Sequence, residues 1–199
     1  MIPAMASDYR TSRVYFRYKV IYFEFRTGRR DPMLADLRTK SIAELLTLHA
    51  EVMDMLRERN VLRSANNPTG DLAEYLFCAA YGWAQEKSSA KAFDATGDGG
   101  TRYQIKGRRN QYRTKSRQLS AIRDLQGFDV LAAVLFDHKY RVVRAALIPA
   151  GIVGEHSTRI EYTNSHRFLL RDAIWNIPSV SDVTARLREV EDAHASFDL

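Results

Sequence analysis

Four side chains in the middle of this sequence have the types and spacing to hold a hard cation against a phosphate: Glu74, Asp94, Gln104 and Lys106. Glu74 is the only charged residue after Asp71 in a stretch, Leu72 to Tyr81, that is apolar nearly all round. A carboxylate there is costly unless it is paired, at a rim, or bound to a cation. The plain alternative is a Glu reaching solvent or an Arg. Asp94 and Gln104 flank Gly97-Asp98-Gly99-Gly100, a turn signal. If the loop is the three residues Asp98-Gly99-Gly100, Gly97 faces Thr101 and Asp94 falls opposite Gln104. Alternation then groups Ala92, Asp94, Thr96, Arg102, Gln104 and Lys106 on one face. Phe93, Ala95, Tyr103 and Ile105 form the other. A carboxylate, an amide and an amine would lie within about 7 Å of one another. A two-residue loop would pair Asp94 with Tyr103 and scatter the set.

The elements that must position these groups are legible in outline. Ser41 and Glu44 have capping-box spacing, and Ile42, Leu45, Leu46, Leu48, Val52, Met55 and Leu56 recur at helical intervals, predicting a helix to about Leu62 whose stripe packs into a core. Asn66-Asn67-Pro68-Thr69-Gly70 breaks the chain, and a second helix runs from about Asp71 to Tyr81, stopped by Gly82. Trp83 to Lys87, Ala92 to Thr96 and Arg102 to Gly107 read as strands. Then come a basic loop and a short helix near Ser120 to Leu125. Phe128 to Phe136 and Tyr140 to Ile148 are two more strands joined by Asp137-His138-Lys139. A helical turn at Pro149 to Val153, a strand at Phe168 to Arg171 and a helix at Ser181 to Ala193 complete an α/β order with a central mixed β-sheet flanked by helices.

In that context Glu74 on a helix, Phe93-Asp94 entering a hairpin and Gln104-Ile105-Lys106 leaving it resemble the PD-(D/E)XK nuclease superfamily, which includes restriction endonucleases and Holliday-junction resolvases. The match covers Gly70 to Arg109. Phe93 stands where the eponymous proline would be, and Gln104 where an Asp or Glu is usual, a Gln-x-Lys variant also found in Mrr-like nucleases. Gln85-Glu86-Lys87 has the same spacing but lacks an acid on a preceding paired strand. The resemblance implies a restriction-endonuclease-like core over 66–150 and a Mg²⁺ site, with Mn²⁺ as substitute, formed by Asp94, Glu74, Gln104 and the carbonyl of Ile105. Lys106 would orient the attacking water and neutralise charge developing on the phosphate. The implied activity is metal-dependent hydrolysis of phosphodiester bonds in double-stranded DNA by a restriction-type endonuclease acting as a homodimer. A neutral amide lowers metal affinity relative to a carboxylate. The alternative is therefore a nuclease-like DNA-binding or assembly module with little or no catalysis.

Charge distribution bears on the same question. The 199 residues carry 30 Lys and Arg against 24 Asp and Glu, a formal charge of +6. The excess is concentrated. Arg102 to Arg123 holds eight basic residues and no acid, and within it Arg102, Arg108, Arg109, Arg113, Lys115 and Arg117 are the candidate DNA-backbone contacts. Arg10 to Arg30 holds seven basic residues against Glu24, interleaved with Tyr15, Phe16, Tyr18, Tyr22, Phe23 and Phe25. Residues 1–38 thus form a basic aromatic segment, strand-like from Val14 to Phe25, suited either to an edge or to a nucleic-acid or dimer contact.

The composition also excludes several classes. Cys78, the one cysteine, cannot make an intrachain disulfide or a structural zinc site, which points to a reducing, cytoplasmic setting. The five His residues are widely spaced, with no pair at metal-ligand intervals, and the glycine run matches neither a dinucleotide fingerprint nor a P-loop. No run of about 18 apolar residues exists to span a bilayer. The expectation is a single soluble domain over 1–199.

Overall fold

The computed structural model describes residues 36–86, 93–111 and 116–193. The chain divides into two compact units, Met1–Val52 and Met53–Leu199. The strand expected from Val14 to Phe25 lies outside the described residues, as do Arg113 and Lys115.

The described residues of the first unit, 36–52, include the start of helix α1 (Ile42–Glu58). Its start is the capping box read from the sequence. The Ser41 N–H donates to Glu44 Oε2 at 2.7 Å, and the Glu44 N–H donates back to Ser41 Oγ at 3.3 Å. The apolar stripe departs from expectation. Met53 is the helix's one buried residue, while Ile42, Leu45, Leu46, Val52 and Met55 are exposed.

The second unit is built on a six-stranded sheet of order β1-β2-β3-β4-β5-β8: β1 (Ala84–Gln85), β2 (Ala95–Thr96), β3 (Arg102–Arg109), β4 (Val130–Phe136), β5 (Val142–Pro149) and β8 (Ser181–Asp182). Among the described strands only β3 and β4 pair in parallel, Tyr103 beside Val130 through Arg109 beside Phe136. The sheet is therefore mixed, as expected. A run such as Leu131-Ala132-Ala133-Val134-Leu135-Phe136, buried throughout, belongs to a strand covered on both faces. Ala132, Val134 and Phe136 pack with Ile105 and Ala145 beneath helices α2 (Thr69–Tyr81) and α4 (Thr184–Ala193). Leu131, Ala133 and Leu135 enter a second core with Leu119, Ile122, Phe128, Ile148, Phe168 and Leu170, capped by α3 (Ala150–His156).

Three expectations are corrected here. Residues 120–125 form no helix. Instead this segment runs antiparallel to the chain at 166–169, with Leu119 N–H bonded to Phe168 O at 3.1 Å and Ile122 N–H to His166 O at 3.1 Å. Leu119 and Ile122 both enter the second core, a three-residue spacing that suggests a helix but here belongs to an irregular segment bridged only at Gln118 and Ile122. The strand expected at Phe168 to Arg171 begins earlier, as β7 (Ser165–Phe168), paired with β6 (Ser157–Ile160) in a hairpin that Asn164 closes at φ 43. The C-terminal helix starts at Thr184 because Ser181 and Asp182 pair with β5 and Asp182 Oδ1 accepts from the Thr184 N–H at 3.0 Å.

Candidate functional site

The hairpin register matches the three-residue loop. Ala95 pairs with Tyr103 and Thr96 with Arg102, and the Gly97 N–H donates to Thr101 O at 3.0 Å. Gly99 and Gly100 turn the chain at φ 70 and 80, values that side-chain-bearing residues rarely adopt. At Gly97 the constraint is space. A Cβ there would lie 2.7 Å from the Tyr103 ring and 3.0 Å from Trp83, whose own rings stack at 3.6 Å.

Asp94 sits just before β2, and one of its oxygens does two jobs. Oδ2 accepts from the Ile105 N–H at 2.6 Å and, in a very short contact, from Gln104 Nε2. The residues at the head of the expected grouping are thus in direct contact. Phe93 departs from it. Ala95, Tyr103 and Ile105 belong to the core beneath α2, whereas Phe93 packs against the other one. Strand alternation does not extend past Asp94, whose N–H bonds to Tyr103 O at 2.8 Å.

Glu74 reaches the same region from α2. The helix is held against β3 at Gly107, where an added Cβ would stand 2.7 Å from the Thr69 carbonyl oxygen and 3.0 Å from Ala73 Cβ. Glu74 Oε2 accepts from Gln85 Nε2 at 2.7 Å and lies 3.7 Å from the Arg63 guanidinium. Burial raises the Glu74 carboxyl above its ordinary range, and the negative charges of Asp94 and Asp71 add to this against the Gln85 bond and Arg63. Cys78, one turn on, is pushed up to about 11 by burial and by Glu74. It is an inert thiol in this state.

Three members of this cluster were not singled out as site residues from sequence: Arg63, Gln85 and Glu86. Arg63 is placed by Asp71, which accepts from the N–H groups of Arg63 and Ser64 at 2.9 and 2.8 Å and from Ser64 Oγ at 2.9 Å. Burial opposes ionisation of Asp71, but those bonds prevail and its pKa is lowered. The Arg63 fork then grips the Glu86 carbonyl with two contacts of 3.2 Å. The Glu86 carboxylate accepts from Thr96 Oγ1 at 2.9 Å. The available signal was the pairing of Ala84–Gln85 with Ala95–Thr96, which brings Gln85 beside the Asp94 hairpin.

The basic run resolves into different situations. Arg102 is clasped by Asp129, with contacts of 2.8 and 3.1 Å from its side chain and 2.8 Å from its N–H. Those bonds hold Asp129 down at about 2. Arg109 donates to His138 O at 2.6 and 3.1 Å and lies over the Tyr140 ring at 4.0 Å. Arg117 pairs with Asp172 at 2.6 Å. Among the described residues Arg108 donates to Ser116 O at 3.3 Å, and it lines a cleft of about 340 Å³ with Asn67, Thr69, Gly107, Arg109 and Gln111. Lys106 is half-buried, and no hydrogen bond or ion pair engages it among the described residues.

A cation has oxygen donors to choose from here: the carboxylates of Asp94 and Glu74, the Gln104 amide and the Ile105 carbonyl. Among the described residues there is no cluster of three or more His, Cys, Asp or Glu. Two carboxylates and neutral oxygens suit Mg²⁺, which usually keeps several waters and binds one or two carboxylates plus phosphate. No helix of the described residues is long and apolar enough to cross a membrane. A scan against protein-family models gives no match to this chain, and a search of curated proteins likewise finds none.

Proposed function

We propose that this protein is a Mg²⁺-dependent DNA endonuclease of restriction type with a restriction-endonuclease-like core, its centre formed by Asp94, Glu74, Gln104, Ile105 and Lys106. The observation that carries this reading is the clasp of the Ile105 N–H and the Gln104 amide by Asp94, with Glu74 close enough for the Asp94 charge to oppose its ionisation. Partial burial and the negative charge of Asp94 both oppose ionisation of Glu74, and a cation held between the two carboxylates would relieve that. Asp94 and Glu74 would hold the ion, with the Gln104 amide turned to offer its oxygen. Bound there, Mg²⁺ supplies Lewis-acid activation of the phosphodiester and of water. Lys106, on the same strand face as Gln104 and engaged by no hydrogen bond or ion pair among the described residues, would donate to a phosphate oxygen and offset its growing charge. Arg108 extends the cationic surface along β3, while Arg102, Arg109 and Arg117 spend their charge on internal partners. The DNA-backbone role read for the whole run therefore concentrates on Lys106 and Arg108.

A second reading has its own observation. The Gln104 amide nitrogen already donates to Asp94, so the clasp closes without an ion, as a nuclease-like DNA-binding module would allow. Incubation of the protein with plasmid and linear DNA in Mg²⁺ or Mn²⁺ separates the two. Cleavage that Lys106→Ala abolishes while the circular dichroism spectrum is unchanged is the expected result. No cleavage under any condition, together with DNA binding indifferent to divalent ions and to Asp94→Ala, overturns the nuclease in favour of the module.

A further inference from the structure

We propose that the β6–β7 hairpin enters the major groove of double-stranded DNA tip first, with Tyr162 against the base edges and Arg123, Arg167 and Arg171 against the flanking phosphates. The inference rests on the DNA substrate proposed above, assigns residues outside the Asp94 centre, and does not need that centre to be catalytic. Four residue pairs, Ser157 with Phe168 through Ile160 with Ser165, make a ribbon about 13 Å long. Its root is fixed. Phe168 is fully buried in the second core, and the chain at 118–122 bridges to Leu169 and His166. Its tip is uncovered, and Tyr162 there is 98% exposed, the most exposed large hydrophobic among the described residues.

Side-chain type changes along the ribbon in the order a groove requires. Residues 116–123 and 156–171 together hold five Arg against one acid, Glu161. Arg123, Arg167 and Arg171 are exposed, and no hydrogen bond or ion pair engages their side chains among the described residues. Arg123 and Arg167 each stand one residue from the bridged pair Ile122–His166, set back from the tip. Such unanswered cations suit phosphates, whose neutralisation releases counterions. At the tip, Glu161 and Asn164 hold the Arg159 guanidinium with two contacts of 2.9 Å. A carboxylate is repelled by phosphate, but a carboxylate, an amide and a phenol suit the donors and acceptors of base edges. The major groove, about 12 Å wide, admits a two-stranded ribbon, whereas the minor groove, about 6 Å wide, does not. The ribbon is also tied to the β3 cations, because Arg108 donates to Ser116 O and the chain then runs through Gln118 and Ile122 beside β7. Ser116 to Ile122 spans at most about 20 Å, less than the roughly 34 Å of one duplex turn, so a single DNA can lie on both.

The test uses the full chain in EDTA, where binding is read without cleavage, and fluorescence anisotropy on a mixed-sequence DNA duplex. Arg167→Gln should weaken binding roughly five- to tenfold at about 0.1 M salt and lower the salt slope by about one. From a pool of duplexes with about 20 random base pairs, the wild type should enrich one motif, and Tyr162→Ala should flatten that motif at adjacent positions. Double-stranded RNA of the same length, whose major groove is too deep and narrow for a ribbon, should bind more weakly and be indifferent to Tyr162→Ala. Both side chains are exposed and unbonded, so both variants should keep the wild-type circular dichroism spectrum. Unchanged affinity, slope and motif in the two variants overturn the hairpin's role, even where plasmid is cleaved. A wild type that enriches no motif, or equal losses on DNA and RNA duplexes, overturns the groove assignment. A chain that never cleaves yet loses DNA affinity in Arg167→Gln and its motif in Tyr162→Ala keeps this inference and discards the nuclease. One that binds no duplex discards both.

Discussion

Gly107→Ala isolates the contact that sets the distance between Glu74 and the β3 residues. The added Cβ would stand 2.7 Å from the Thr69 carbonyl oxygen, 3.0 Å from Ala73 Cβ and 3.3 Å from the Phe136 ring. Two of these neighbours are fixed, being helix backbone and a Cβ, so α2 must move off the sheet. Overpacking of this kind costs roughly 1–3 kcal/mol, less about 0.5 kcal/mol returned by replacing a strand glycine. The net is about 0.5–2.5 kcal/mol. For a chain of this size that lowers Tm by about 1–10 °C. Thermal and urea unfolding of the two proteins measure it, and an unchanged urea m-value would locate the loss in the native state. Gly151→Ala is the control, since nothing lies within 4 Å of its added Cβ and the change raises helix propensity in α3. Displacement of α2 also carries Glu74 from Asp94, so saturable Mg²⁺ binding by calorimetry should weaken in Gly107→Ala and hold in Gly151→Ala. A Gly107→Ala protein as stable as wild type would show that the helix is not seated on β3 at this point.

Three further expectations follow from the same cluster. Gln104→Glu replaces the amide donor that faces Asp94 with a third carboxylate, so Tm should fall in EDTA and recover with Mg²⁺ by more than in wild type. Recovery no larger than that of wild type would argue against a cation site. Glu74, with its pKa raised by burial, favours folding in its neutral form, a contribution present below the ordinary value of 4.5 and lost as pH rises through the elevated one. Without divalent ions, the wild type should therefore lose more stability than Glu74→Gln between about pH 4 and 7, and equal pH profiles would refute the shift. Cys78, pushed up to about 11, should resist a disulfide reagent at neutral pH in the folded protein and react in denaturant. Fast labelling of the native protein would contradict that burial.

The sequence carries the hairpin well because its information is local. Two glycines at positive φ and a three-residue loop determine that Ala95 meets Tyr103, and the contact of Asp94 with Gln104 follows from that pairing. The capping box and the Gly82 stop define α1 and α2 for the same reason. What was not legible depends on partners distant in sequence. Leu119 and Ile122 suit a helix until the chain at 166–169 takes their hydrogen bonds. Arg102, Arg109 and Arg117 read as free cations because Asp129, the His138 carbonyl and Asp172 are far along the chain. Arg63 carries no local signal at all. Its placement needs Asp71 to hold the chain at 63–64 against the first turn of α2.

The double acceptance at Asp94 Oδ2 ties two kinds of selection to one atom. By bonding the Ile105 N–H and the Gln104 amide, Asp94 staples the hairpin whether or not chemistry occurs there. A descendant of this protein that lost all catalysis would still be held to an acid at that position by folding alone. Lys106, which no hydrogen bond or ion pair engages among the described residues, has no such second employment. Across divergent copies of this chain, retention of Asp94 would record only the fold, whereas drift at Lys106 would mark a lineage that had given up the reaction.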